Sequence, residues 1–304
     1  MTNLVTDVKS LELETLKNLK SSKAINTLRA YKSDYKDFAA FCIKNGFKPM
    51  PSEAKIITLY LTHLSKSSKF STLKRRLASI SVIHKLSGRY IDTKHPMITE
   101  NLMGIKRIKG SYQKAKKPIL INELKLIVNV IDKDKNEENR FKNKALILIG
   151  FAGAFRRSEL VAIVYEDVEF VSEGVKIFVK RSKTDQSGEG MTKGIPYFSN
   201  PDYCPVISLK NWIEKSEIKS GKIFDMSDKS VALTVKKYTG IAGLDSNKYS
   251  GHSLRSGFAT STAELGAEER SIMAMTGHKT TQMVRRYIQE ANLFKNNALN
   301  KIKI

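Results

Sequence analysis

The chain has 304 residues, with 53 Lys and Arg against 30 Asp and Glu, a formal net charge of +23 and 41% hydrophobic residues. That much apolar material excludes a disordered polycation, and the length suits two domains; no run of eighteen apolar residues offers a membrane span. The surplus positive charge calls for a polyanionic partner, with nucleic acid ahead of an anionic membrane surface.

Residues Met1 to Ser10 mix polar and acidic with apolar side chains, which is not the pattern of a signal peptide. Ile25, Leu28, Tyr31, Tyr35, Phe38 and Phe41 recur at three- and four-residue steps and predict a helix with one apolar face. Pro51-Ser52-Glu53 opens a second helix, with Ser52 as its N-cap and Ile57, Tyr60, Leu61 and Leu64 on its apolar side. Ser71 or Thr72 caps a third, whose buried stripe is Leu73, Leu77, Ile80 and Ile83, with Lys74 and Arg75 pointing away. Thr99 caps a fourth, short helix. Four amphipathic helices with short joints make a compact helical domain over 1–103. Residues 104–117 then hold six basic residues, no acidic ones and two glycines, and Pro118 follows. This reads as a basic interdomain linker that includes Lys106 and Arg107.

The second half, 118–304, opens with helices over Ile121 to Ile131 and about Arg140 to Gly150. Val175, Ile177 and Val179 then alternate with lysines and Phe178 as a strand does, a turn-rich loop runs from Asp185 to Gly190, and Ile195 to Phe198 is the expected return strand. Helices resume after Pro205, including one over Lys229 to Ile241. Cys42 and Cys204 lie far apart in no metal or redox pattern, which fits reduced thiols in a cytoplasmic protein. The expected fold is mainly α with a small β-sheet.

Four segments carry groups suited to phosphodiester chemistry: Gly153-Ala154-Phe155-Arg156-Arg157-Ser158-Glu159-Leu160, Arg181-Ser182-Lys183-Thr184-Asp185, Ser250-Gly251-His252-Ser253-Leu254-Arg255-Ser256-Gly257, and Thr276-Gly277-His278 with Tyr287 nine residues on. Singly each has a plain structural explanation: a solvated cation, a capping histidine, a half-buried helix tyrosine. Together, Arg-x-Ser-Glu-Leu, a hairpin lysine, Gly-His-x-Leu-Arg, Gly-His and a following Tyr resemble the tyrosine recombinases of the phage integrase family. The helical first half is similar to the core-binding domain of Cre- and Xer-type recombinases, especially Phe41 to Gly46 and Ser71 to Gly88.

The resemblance implies a role for each position. Arg156 and Arg255 grip the non-bridging oxygens of the scissile phosphate, a task that suits a planar guanidinium. His252 assists proton transfer from Tyr287, the nucleophile. His278 hydrogen-bonds the phosphate, Lys183 protonates the leaving 5′-oxygen, and Glu159 supports the site without doing chemistry. A phenol with a reference pKa near 10 needs such a cationic surround to attack at neutral pH. No acidic cluster for Mg²⁺ and no phosphate-cradling glycine loop occurs, so cleavage without metal, ATP or another cofactor is expected, giving a 3′-phosphotyrosyl enzyme.

The resemblance further implies a clamp around double-stranded DNA carrying an inverted-repeat site. Lys74, Arg75 and Arg76 lie near the DNA, Lys229 matches a base-reading position, and the tail Gln289 to Ile304 docks its apolar face (Leu293, Phe294, Ala298, Leu299, Ile302) into a neighbouring subunit of a homotetramer. Helix packing that begins near residue 23 leaves no room for a further amino-terminal arm-binding domain. Two other activities share these motifs: a telomere resolvase or type IB topoisomerase-like enzyme, and a non-catalytic DNA-binding protein that keeps the fold.

Overall fold

The computed structural model describes residues 7–21, 24–110, 115–182, 185, 188–291, 294 and 298–302. The chain divides into two compact units, Met1–Lys114 and Ala115–Ile304.

The first unit is helical: α1 (Val8–Ser21), α2 (Ile25–Lys44), α3 (Ala54–Ser65), α4 (Phe70–Leu86) and α5 (Pro96–Lys109). Its core is built from the three- and four-residue spacings in the sequence: Phe38 and Cys42 of α2, Ile57, Tyr60 and Leu61 of α3, Leu73, Leu77 and Ile80 of α4, and Ile98, Leu102 and Ile105 of α5. Of the periodic residues, Phe38, Ile57, Tyr60, Leu61, Leu73, Leu77 and Ile80 are buried, while Leu28, Tyr31, Tyr35, Phe41, Leu64 and Ile83 are half-buried; the helix caps differ from the expectation. Ser52 lies one residue too early: Glu53 takes the N-cap position of α3, and among the described residues the buried Ser52 hydroxyl finds no hydrogen-bond partner. Lys69 precedes α4, so Ser71 and Thr72 sit inside its first turn. His95, not Thr99, caps α5: its Nδ1 accepts from the Met97 N–H at 3.2 Å, with Pro96 in the first turn. The Thr99 hydroxyl bonds back to the Pro96 carbonyl at 3.2 Å. The expected linker also begins too soon. Residues 104–109 are the last turns of α5, anchored by buried Ile105, and the helix stops only at Gly110, whose φ of 71° is left-handed. Residues 111–114 of that stretch lie outside the described residues.

The second unit contains α6 (Ile121–Ile131), α7 (Glu137–Ala152), the single turn α8 (Arg157–Leu160), strands β1 (Val168–Val171), β2 (Gly174–Val179) and β3 (Met191–Pro196), then α9 (Pro205–Lys215), α10 (Asp228–Ile241), α11 (His252–Glu264), α12 (Glu269–Thr276) and α13 (Thr281–Ala291). The sheet is antiparallel in the order β1-β2-β3. Helix α7 runs through the middle. Every residue from Ala145 to Ala152 is buried, as an all-round apolar helix requires, and Asn136 caps its start by accepting from the Asn139 N–H at 2.8 Å. On β2, Val175, Ile177 and Val179 face the core. The return strand is displaced from the expectation: it ends at Pro196, leaving Tyr197 and Phe198 exposed beyond it. Its pairing puts Lys193 opposite Ile177 and Ile195 opposite Val175, so Lys193 points inward.

Two features fix α11. Ile119 donates its N–H to the Ser253 carbonyl at 2.9 Å. Gly257 lets the same segment come close, since a Cβ there would lie 2.0 Å from the Ile119 carbonyl oxygen. Helix α13 packs on α11 and α12 through Val284 and Tyr287 against Ala259, Ala263 and Ile272. The expected tail helix differs from what is described. Beyond Ala291 the described residues form one 3₁₀ turn, Ala298–Lys301, with Phe294, Leu299 and Ile302 exposed; Leu293 lies outside the described residues. Among the described residues no helix is long and apolar enough to cross a membrane.

Candidate active site

The loop after α7 turns sharply. Ala154 takes a left-handed φ of 48°, and Arg156 follows in extended backbone as the N-cap of α8. Glu159 sits three residues on, 5% exposed. Its carboxylate accepts the Arg156 N–H at 2.9 Å and the Arg156 guanidinium at 2.6 Å. The Arg-x-x-Glu spacing therefore holds both ends of one arginine at a helix start. Arg157 turns aside: its side chain fills the space beside Gly251, and it lies 3.6 Å from Asp228.

Helix α11 supplies His252 at its start and Arg255 one turn later. Arg255 is 1% exposed. One of its NH groups donates to the Ala154 carbonyl at 2.8 Å and the other to His278 Nε2 at 3.0 Å. A guanidinium only donates, so Nε2 of His278 is the acceptor and its proton resides on Nδ1. Among the described residues that buried Nδ1 has no hydrogen-bond partner. His278 is delivered by Gly277, the left-handed C-cap that ends α12. On α13, buried Tyr287 directs its hydroxyl toward His252 Nε2 at 3.4 Å, with its ring centroid 6.3 Å from that of His278.

Electrostatics follow from this crowding of cations. Burial, then Arg255 and Arg156, pull His278 down to about 4. Desolvation, then Arg255, Arg156 and Arg157, hold His252 below its ordinary value. Both imidazoles are therefore neutral at neutral pH, and each has one ring nitrogen without a proton. Burial and Arg156 lower Arg255 to about 10, which leaves it charged. Among the described residues Glu159 is the one buried carboxylate in this cluster. The site is thus an anion receptor with a hydroxyl at its edge. Among the described residues no group of three His, Cys, Asp or Glu side chains is arranged to hold a metal ion.

A profile of the phage integrase family matches residues 119–293. The chain belongs to the phage integrase family. An integrase/recombinase xerD homolog of Selenomonas ruminantium is 43% identical over 96% of this chain and 89% of its own length. The fold is that of XerH site-specific recombinase bound to palindromic difH substrate (TM-score 0.61, 17% identity, 81% of this chain and 73% of that one). It is also that of a lambda integrase tetramer bound to a Holliday junction (TM-score 0.57, 18% identity, 96% and 79%).

Within this tyrosine recombinase the structure brings together Arg156, Glu159, His252, Arg255, His278 and Tyr287 from four separate segments. Lys183 lies outside the described residues. Two positions later in the sequence, Asp185 accepts the N–H groups of Gly188, Glu189 and Gly190 at 2.9–3.2 Å. The residues expected near DNA divide by environment. Lys74, Lys106, Arg107 and Lys229 are exposed, the last in the first turn of α10 behind its Ser227 cap. Arg75 pairs with buried Asp34, and Arg76 lies 3.3 Å from both Asp34 and Asp37. Arg76 is thus committed to the core of the helical unit.

Sequence reasoning missed one member of the cluster. Lys193 is 2% exposed and donates to the Gly153 and Met275 carbonyls, both at 2.6 Å. The signal lay in the strand: with period two, Lys193 shares the core-facing side with Ile195. The return strand expected from the sequence begins two residues beyond it, at Ile195.

Proposed function

We propose that this recombinase cleaves and rejoins DNA strands at specific sites through Tyr287. The phenolic oxygen attacks the scissile phosphorus and passes its proton toward His252. A 3′-phosphotyrosyl bond forms as the bond to the 5′-oxygen breaks, and Lys183 supplies the proton that makes the 5′-hydroxyl. Arg156 and Arg255 take the non-bridging oxygens, and His278 supports the same phosphate. The phosphotyrosyl bond keeps the energy of the original linkage, so a 5′-hydroxyl from a second duplex reverses the step without ATP and builds a Holliday junction. Substrate DNA with inverted repeats, contacts from Lys74, Arg75, Lys106, Arg107 and Lys229, action in the cytoplasm, and a homotetramer joined through the tail after Tyr287 complete the reading. The 43% identical relative is its main support beyond the site.

The observation that carries it is the Tyr287 hydroxyl 3.4 Å from His252 Nε2, beside an arginine-histidine phosphate receptor. A nicked suicide substrate incubated without added metal tests it: wild type accumulates a covalent adduct, and Tyr287→Phe forms none while still binding DNA. An adduct with Tyr287→Phe overturns the nucleophile assignment. A two-site plasmid that is relaxed but yields no recombinants would favour a topoisomerase-like activity instead.

A further inference from the structure

We infer that Lys193 is a positioning residue: from beneath the site it ties the Arg156 loop to the His278 turn, so that both meet one phosphate. The inference rests on the catalytic reading above and adds a residue to it.

Lysine is almost never fully buried without a partner that repays the loss of water. Lys193 is buried among Val175, Ile177 and Ile195, where an apolar side chain would pack at lower cost. No carboxylate forms a salt bridge with it among the described residues. Its ammonium instead bonds the carbonyls of Gly153 and Met275. These belong to the C-terminal ends of α7 and α12, where helix carbonyls lack partners and the helix dipoles are negative. Two helix ends therefore converge on one cation. The Phe155 ring, between Gly153 and Arg156 in sequence, lies 4.6 Å from the same nitrogen.

Immediately beyond each carbonyl stands a residue of the site. Gly153 leads through Ala154 to Arg156, and Met275 leads through Gly277 to His278. Arg255 bridges the same two segments from above, through the Ala154 carbonyl and His278. Two cations thus span one gap. Arg255 takes the phosphate, and once its hand leaves His278, Lys193 still holds the segments together. Burial pulls Lys193 down to about 7, opposed by Glu159 and reinforced by Arg255 and Arg156. A neutral amine retains two N–H donors, so the bridge survives loss of the proton.

Lys193→Met keeps the length and the buried fit but donates nothing. On the nicked suicide substrate we expect DNA affinity within about twofold of wild type and adduct formation slowed about tenfold or more, as misplaced catalytic groups require. On the same substrate with a methylphosphonate at the scissile position, which lacks the non-bridging charge the arginines are aimed at, the deficit should narrow to about threefold or less. A merely structural lysine would slow both substrates alike. Equal rates for variant and wild type, or the same deficit on both substrates, overturn the inference. Should K193M not fold, Lys193→Leu, which also donates nothing, gives the same comparison with the same two outcomes. Tyr287→Phe run in parallel separates the failures. If it forms an adduct, the catalytic reading falls; if it is inert while K193M matches wild type, only the positioning role falls.

Discussion

The carboxylate of Glu159 holds Arg156 at two points, backbone and guanidinium, in a place with little water. Glu159→Gln keeps the shape but turns an NH₂ toward one of those donors. We expect about 1–3 kcal/mol lost in urea unfolding and a larger loss in adduct formation than in DNA binding; a variant unchanged in both would refute this hold. At this scale the motif was legible because Arg-x-Ser-Glu-Leu is local: the four residues from Arg156 to Glu159 set both the cap position and the acid that grips it. Lys193 was not legible as part of the site. Its two acceptors, Gly153 and Met275, lie 40 and 82 residues away in the chain.

Among the elements, α11 is the one that most depends on a neighbour. Gly257 lets the Ile119 segment lie against it, and Gly257→Ala puts a carbon 2.0 Å from a backbone oxygen that cannot swing away. We expect a loss of about 1–3 kcal/mol, read as a lower Tm, together with slowed cleavage, because His252 and Arg255 ride on the displaced helix. Gly104→Ala is the opposite case: nothing lies within 4 Å of a Cβ there. In the interior of α5 it should raise stability by about 0.5–1 kcal/mol, with a higher Tm and cleavage unchanged. Helix interiors followed from apolar periodicity. Helix ends did not, because a cap is decided by which side chain meets a free N–H: His95 succeeded where Thr99 was expected, and Ser52, among the described residues, was left unbonded.

For the whole molecule, the net charge of +23 predicts DNA binding that weakens linearly in log–log terms with salt. The loss should be about a thousandfold between about 50 and 200 mM, measurable by fluorescence titration; an affinity flat in salt would contradict the electrostatic grip. Folding stability should also carry the imprint of Lys193. Its folded value is about 7 against 10.5 when solvated, so between those limits the unfolded chain binds a proton the folded chain does not. The sign is that stability rises with pH through this window, with the full penalty present below about 7. Urea unfolding at pH 7 and pH 9 should show wild type gaining on K193M at the higher pH; parallel behaviour would mean that Lys193 stays charged throughout.

The sequence alone determined the apolar faces of the helices and the interior side of β2, because each is written in spacings of a few residues; it also set out, as ordered motifs, side chains whose chemistry suits a phosphate. Only the tertiary structure decided how those motifs meet. It set the Tyr287–His252 approach, parked Arg255 on His278, turned Arg76 into the Asp34 cluster and buried Lys193 under two helix ends. The physical reason is that these are contacts between distant segments, and their partners are often backbone carbonyls, which every residue carries and which therefore leave no mark in the sequence.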